Sequence, residues 1–470
     1  MVLHWHRRDL RGTDVRGLAR AAGAFDEPIV PVFVLDPTVL EHASPVRVSC
    51  LLEALSSLRE WYRTRGSDLL VVRGEASEAI PRLVAEYDAD AVVWADDYSG
   101  LARDRDRAVT AALEDDGVTC EVVHDAILHE PGSITPNEGD HYAVFSYFWK
   151  KWRDREKPDP IEPPAADDLA NVSGESIPSR GALGFDEPES TPPTVTPSTA
   201  RERLEAFRTD DVYRYADERD YPAAGATSRL SAHLKWGTVG IRTVYAAIER
   251  AREWARTDDD RESAVAFQRQ LAWREFYAHV LAFNPETVTE DFRGYPNPIP
   301  WRNDPDEFAA WKRGETGYPI VDAGMRQLRA EGWMHNRVRM LVASVLTKDL
   351  LVDWWKGYDW FRRHLADHDT ANDIGGWQWA ASTGTDAQPY FRVFNPTKQC
   401  REYDPDGEYV REHVPELADA TAAEIHGWGD LEADERDRIA PGYPAPIVDH
   451  ATRRERAIEA FERARGESSA

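Results

Sequence analysis

Short apolar runs alternate with amphipathic stretches through the first 130 residues. Runs at Val2–Trp5, Ile29–Leu35, Leu69–Arg73, Ala91–Trp94 and Thr119–His124 each have the length of one strand. Between them, apolar positions recur at helical spacing over Arg47–Arg65, Ala76–Tyr87 and Arg103–Asp115. Strand–helix alternation with short connections predicts a Rossmann-like, doubly wound parallel sheet covered by helices on both faces. No GxGxxG follows the first strand, so an ordinary dinucleotide site is not predicted there.

From about Pro158 to Ala200 the pattern dissolves into Pro, Asp, Glu, Ser and Gly, which predicts a connector that wraps the surface or is partly mobile. Beyond Arg201 the periodicity is helical almost throughout, punctuated near Pro222, Pro285–Pro300 and Pro319. The tail Ala451–Ala470 reads as one amphipathic helix that frays at its end. The predicted plan is an α/β domain over residues 1–130, a connector over 131–200 and an all-α domain over 201–470. A length of 470 residues favours two cores over one.

Composition narrows the setting. No stretch is long and uncharged enough to cross a bilayer, and the basic start MVLHWHRRDLRGTD never develops the apolar run of a signal peptide. Cys50, Cys120 and Cys400 are scattered without metal-ligand spacing, which fits a reducing cytoplasm and predicts no metal centre. Acidic residues number 84 against 57 Lys and Arg, a net charge of −27. Either the protein avoids polyanions, or its surface is adapted to a salty cytosol where self-repulsion is screened. The uneven distribution favours the second. Between Gly324 and Lys348 the charges are Arg326, Arg329, Glu331, Arg337, Arg339 and Lys348, a basic excess in an acidic chain. High salt also lowers the gain from counterion release, so a nucleic-acid partner must be held more by shape and base contacts.

Four segments of the helical half carry the chemistry. Thr227-Ser228-Arg229-Leu230-Ser231 sets hydroxyls and an Arg ahead of a helical run, either an anion site or a plain cap with an exposed Arg. Leu271–Tyr277 (LAWREFY), Gly332–Arg337 (GWMHNR) and Asp367–Trp379 (DHDTANDIGGWQW) mix carboxylates, Arg, Asn and Trp where periodicity implies partial burial. Each could be core on its own. Buried charges require partners or a ligand, and four such segments together imply a large polar cofactor.

At these segments the chain resembles the photolyase/cryptochrome family. The resemblance runs from HWHRRDLR through Gly317-Tyr318-Pro319-Ile320-Val321-Asp322 to the FRVFNP run ending at Pro396. It implies an α/β antenna domain joined by a long connector to a helical FAD domain, in a monomer that acts on UV-damaged DNA. Carried over by position, the FAD-binding set is Tyr215, Thr227, Ser228, Arg229, Leu230, Ser231, Arg274, Asp367 and Asp369. Arg229 and Arg274 would face the pyrophosphate, and the two carboxylates would accept from flavin and ribose donors. Trp301, Trp354 and Trp377 match the tryptophan chain that feeds electrons to the excited flavin. Trp273 and Trp379 match aromatic walls for an extruded lesion, beside Asn336, Arg337 and Met340. Arg219 and Gln399 match positions near the DNA backbone. The implied activity is repair of cyclobutane pyrimidine dimers by an electron from photoexcited reduced FAD.

Three departures from the family pattern matter. Gln270 stands where many dimer photolyases carry Glu, and Gln is also seen there in the (6-4) photolyase and animal cryptochrome branches, whereas Asn336 stands where (6-4) enzymes tend to have His. Asp373 replaces the usual Asn facing flavin N5; plant cryptochromes also have Asp, and burial should favour its neutral form. The stretch Trp94–Gly100 lacks the Glu after Tyr98 that folate-binding relatives carry, which points to a deazaflavin-type antenna, or none, ahead of a folate. A (6-4) photoproduct photolyase, a cryptochrome-like photoreceptor and a flavin electron carrier without a light role remain the rival functions. No long disordered extension of the kind signalling relatives often use follows Pro396, which counts against the photoreceptor, and the intact Trp series counts against the electron carrier.

Overall fold

The architecture is taken from a computed structural model that describes residues 1–467. Five parallel strands, β1 (Val2–His6), β2 (Ile29–Leu35), β3 (Leu70–Arg73), β4 (Ala91–Ala95) and β5 (Thr119–Val123), form one sheet in the order β3-β2-β1-β4-β5. Every residue of β1, β2 and β4 is buried, as expected of strands covered on both faces. The edge strand β5 is half exposed, so its pattern is the weakest of the five. Each predicted strand forms, with ends moved by a single residue at most.

The connector is not loose. It contains the helix Phe145–Asp154, which the sequence reading left unassigned. Leu169 bridges to Ile29 on the sheet, Arg59 holds the Gly174 and Glu175 carbonyls, and Thr191 donates to the Ala330 carbonyl. Local propensity gave no sign of this order, because the segment's backbone groups find their partners on distant elements.

Residues beyond the connector are helical, and the 26-residue helix Asp258–Phe283 is their spine. Thr257 caps it by accepting the Asp260 N–H, and three Asp residues occupy its first turn, where they complement the helix dipole. The tail helix is His450–Arg465. The predicted fraying concerns its last residues, and 468–470 lie outside the described residues.

A buried ion network ties the sheet layer to the helical layer. Arg242 donates to Asp14 and Asp125, each at 2.6 Å, and Arg11 also reaches Asp125 at 2.5 Å. Gly237, at φ +67°, sits so close to the Arg8 carbonyl that a Cβ would lie 1.8 Å from its oxygen. The two layers are therefore in backbone contact here, which brings the end of β1 to the edge of the site described next.

Candidate functional site: a cofactor-sized cavity in the helical half

Three helices turn one stripe each toward a common cavity of about 560 Å³. Gln270, Trp273, Arg274 and Tyr277 come from Asp258–Phe283; Asn336, Arg339, Met340 and Ala343 from Asn336–Ser344; and Asp369, Asn372, Asp373 and Gly376 from the helix Thr370–Ala381 and its cap. Each set is spaced i, i+3, i+4, i+7, the repeat of one helix face. The size falls within the range of about 300–1,000 Å³ usual for small-molecule and cofactor sites.

Most residues expected at the site meet there. Tyr215, Arg219, Thr227, Ser228, Arg229, Leu230, Ser231, Gln270, Trp273, Arg274, Asn336, Arg337, Met340, Asp367, Asp369, Asp373, Trp377 and Trp379 all line this cavity. Gln399 does not. It sits on the neighbouring helix Pro396–Tyr403, whose Tyr403 ring lies under the Arg337 guanidinium at 4.3 Å. Trp301 and Trp354 lie behind the wall, Trp354 donating to Asp291 at 2.7 Å and Trp301 packing edge-on to Phe461. Trp377 is fixed by close packing, since a Cβ on Gly357 would come within 2.2 Å of its ring.

The arginines are more engaged than expected. Arg274 donates to the Ala126 carbonyl at 2.6 Å, and Arg229 lies over the Trp333 ring at 4.2 Å with Glu331 at 3.3 Å. Arg229 adopts φ +47°, an unusual conformation outside glycine, Asn and Asp. Arg337 pairs with Asp220 at 2.9 Å, while its buried Nε and the Nε2 of neighbouring His335 have no partner. Such orphaned polar atoms on a cavity wall suit a polar occupant.

Further residues not expected from the sequence complete the site. Arg339 holds Asp367 with one nitrogen reaching both carboxylate oxygens, at 3.1 and 2.8 Å. Arg8, on the loop after β1, pairs with Asp369 and stands 3.6 Å from Asp97. Burial would raise the Asp369 carboxyl, but Arg8, Arg274 and Lys235 outweigh it and hold the group well below the carboxylate range. Burial, with Arg8 beside it, brings the Lys235 ammonium down to about 7. Phe145 lies 3.7 Å from the Trp273 ring and nearly parallel to it, and Arg269 backs the stack. The helix-face repeat could have found Arg339, Tyr277 and Asn372; nothing local marks Arg8 or Phe145.

Burial also pushes the Asp373 carboxyl up to about 7. Outside the cavity, His4, His6 and Asp9 place potential ligand atoms within 4.8 Å of one another, a buried grouping unnoticed in the sequence.

Comparison with known proteins follows the same lines. Residues 267–463 match the family model described as the FAD binding domain of DNA photolyase, and residues 2–166 match that described as DNA photolyase. The chain is 58% identical to the deoxyribodipyrimidine photo-lyase of Halobacterium salinarum over 99% of this chain and all of that protein. It is 40% identical to the enzyme so named from Synechococcus sp., over 96% of this chain and 94% of that one. A bacterial class III photolyase from Agrobacterium tumefaciens superposes with a TM-score of 0.89 at 34% identity, covering 99% of this chain and 98% of the other. An archaeal photolyase from Sulfolobus tokodaii, described with two FAD molecules, gives 0.82 at 31% identity over 98% and 99%.

Proposed function

The chain belongs to the DNA photolyase family, and on that premise we propose that the striped cavity holds FAD and receives the extruded bases of UV-damaged DNA. The activity is light-driven repair of cyclobutane pyrimidine dimers, a carbon–carbon lyase reaction driven by an electron from reduced FAD. The observation that carries the assignment is the convergence of three helix stripes, bearing carboxylates, arginines and aromatic rings, on one cofactor-sized space that Trp379 also lines.

When bound, reduced FAD would supply the light-driven one-electron chemistry. The protein's residues bind and orient. Asp367 and Asp369 line the cavity and are fixed by Arg339 and Arg8, so they would accept from the N–H and O–H groups of a polar cofactor. Tyr215, Thr227, Ser228, Leu230 and Ser231 form the wall beside Arg229 and Arg274, the residues that would hold the cofactor's phosphates. Trp273, rigid against Phe145, and Trp379, packed on Phe394, replace the stacking that flipped bases lose, worth about 1–3 kcal/mol per base. Gln270, Asn336 and Met340 read the lesion, while Arg219, Arg337 and Gln399 position the strand. Trp377, Trp354 and Trp301 relay electrons inward from the surface. The deciding experiment illuminates the reduced protein with dimer-containing and with (6-4) DNA against dark controls. Loss of the dimer alone is expected; loss of neither, with flavin bound, would overturn the assignment.

The proposal extends to a deazaflavin-type antenna near Trp94–Gly100, supported by the residue that follows Tyr98, and to a monomer acting in the cytoplasm. No helix among the described residues is long and apolar enough to cross a membrane. Chromatography of pigments released on denaturation separates a deazaflavin from a second FAD or from none.

A further inference from the structure

His368 makes a contact in the cavity wall that none of these roles uses. Its Nδ1 lies 2.5 Å from Asp373 Oδ2, and that oxygen also accepts the Asp369 backbone N–H at 3.2 Å. Both side chains are withdrawn from water, at 5% and 11% exposure, yet Asp373 is part of the cavity lining. At this separation a proton must lie between the two atoms: either the carboxyl O–H donates to Nδ1, or Nδ1–H donates to the carboxylate. A neutral imidazole serves both states of its partner by exchanging tautomers.

The surroundings leave the two states closely balanced. Burial favours the neutral carboxyl, and against it Arg339 stands 4.0 Å from Oδ1, with Arg47 nearby, while Asp369 adds to the effect of burial. On the imidazole side, burial together with Arg47, Lys235 and Arg362 disfavours a second proton, and the Tyr358 ring stands 5.7 Å away. A pair of opposite full charges is thus suppressed, and a neutral His368 faces either a carboxyl or a carboxylate.

We propose that His368 is the positioning residue that sets the charge Asp373 presents to the cofactor, by serving as its hydrogen-bond partner in both protonation states. This rests on Asp373 facing the flavin, as assigned above. Hydrogen bonds to the ionised form are roughly twice as strong as neutral ones, so losing the imidazole harms the carboxylate more than the acid.

The test follows the Asp373 carboxyl in flavin-loaded protein by its infrared C=O band, identified by its absence in Asp373→Asn. In the wild type the band should titrate near neutrality. In His368→Leu the midpoint should rise by about one pH unit or more, and His368→Asn, which keeps a small donor and acceptor, should bring it back toward wild type. In parallel, ¹⁵N NMR of His368 in the unmodified protein, which depends on no variant folding, should show the tautomer changing at the same midpoint. An unmoved midpoint in His368→Leu at equal flavin content, or a tautomer fixed across the titration, would overturn the proposal. Flavin absorbance recorded in the same samples tests the underlying assignment separately. If it ignores a midpoint that carboxyl and tautomer share, the pairing stands but Asp373 does not face the cofactor.

Discussion

Arg339 grips Asp367 through both carboxylate oxygens, at 3.1 and 2.8 Å, and spends its Nε on the Met334 carbonyl at 2.8 Å. One side chain thereby joins the GWMHNR segment to the DHD segment, two of the four motifs that define the site.

Arg339→Leu should therefore damage the cavity before it damages the fold. Asp367 is 1% exposed and would lose the guanidinium that pairs with it. Breaking a buried pair in this way costs about 3–5 kcal/mol, and the low end is expected because Arg339 is one-fifth exposed. Flavin per protein after gel filtration should fall, with a lower denaturation midpoint. Full flavin retention would show that Asp367 needs no fixed orientation.

Arg8→Ala tests the link between layers, with a pH signature. Asp369 is held below its ordinary range in the folded state, so its contribution is complete above the unfolded carboxylate value and is lost as pH falls toward the folded one. The variant should be less stable at neutral pH by about 1.5–3 kcal/mol, the worth of a charge-assisted hydrogen bond. The gap to wild type should close on acidification below about pH 4. A gap that is constant with pH would mean that Arg8 acts through packing alone.

Trp377→Phe should separate electron supply from repair. The indole is 4% exposed and wedged against Gly357 and the Phe361 edge, so a smaller ring is tolerated with modest loss of stability. Photoreduction of oxidised flavin should slow sharply in flash absorption, whereas dimer repair by chemically reduced protein should persist. Equal photoreduction in the variant would remove Trp377 from the relay.

Arg337→Ala addresses DNA grip. Its guanidinium is already shared between Asp220 and the Tyr403 ring, so a phosphate must compete with both. If it neutralises one phosphate, the slope of log affinity against log salt should fall by about one, equally for damaged and undamaged DNA. A loss confined to lesion-containing DNA would make Arg337 a base reader instead.

Much of this was readable along the chain. The strands announced themselves because burial on both faces leaves unbroken apolar runs, and the half-exposed edge strand β5 still kept enough of that pattern. The site motifs were readable for a related reason: Gln270, Trp273 and Arg274, or Asp369 and Asp373, lie on single helix faces, so a local repeat places them together. The family's residue pattern then supplied the chemistry. What tertiary structure alone decided is who holds whom. Arg8 meets Asp369 across 361 positions, Arg274 finds a carbonyl 148 positions away, and Phe145 reaches Trp273 from a segment that read as linker. Periodicity is set by the geometry of one element. Ion pairs and stacks between elements depend on how layers pack, and a single chain of letters carries no local trace of that.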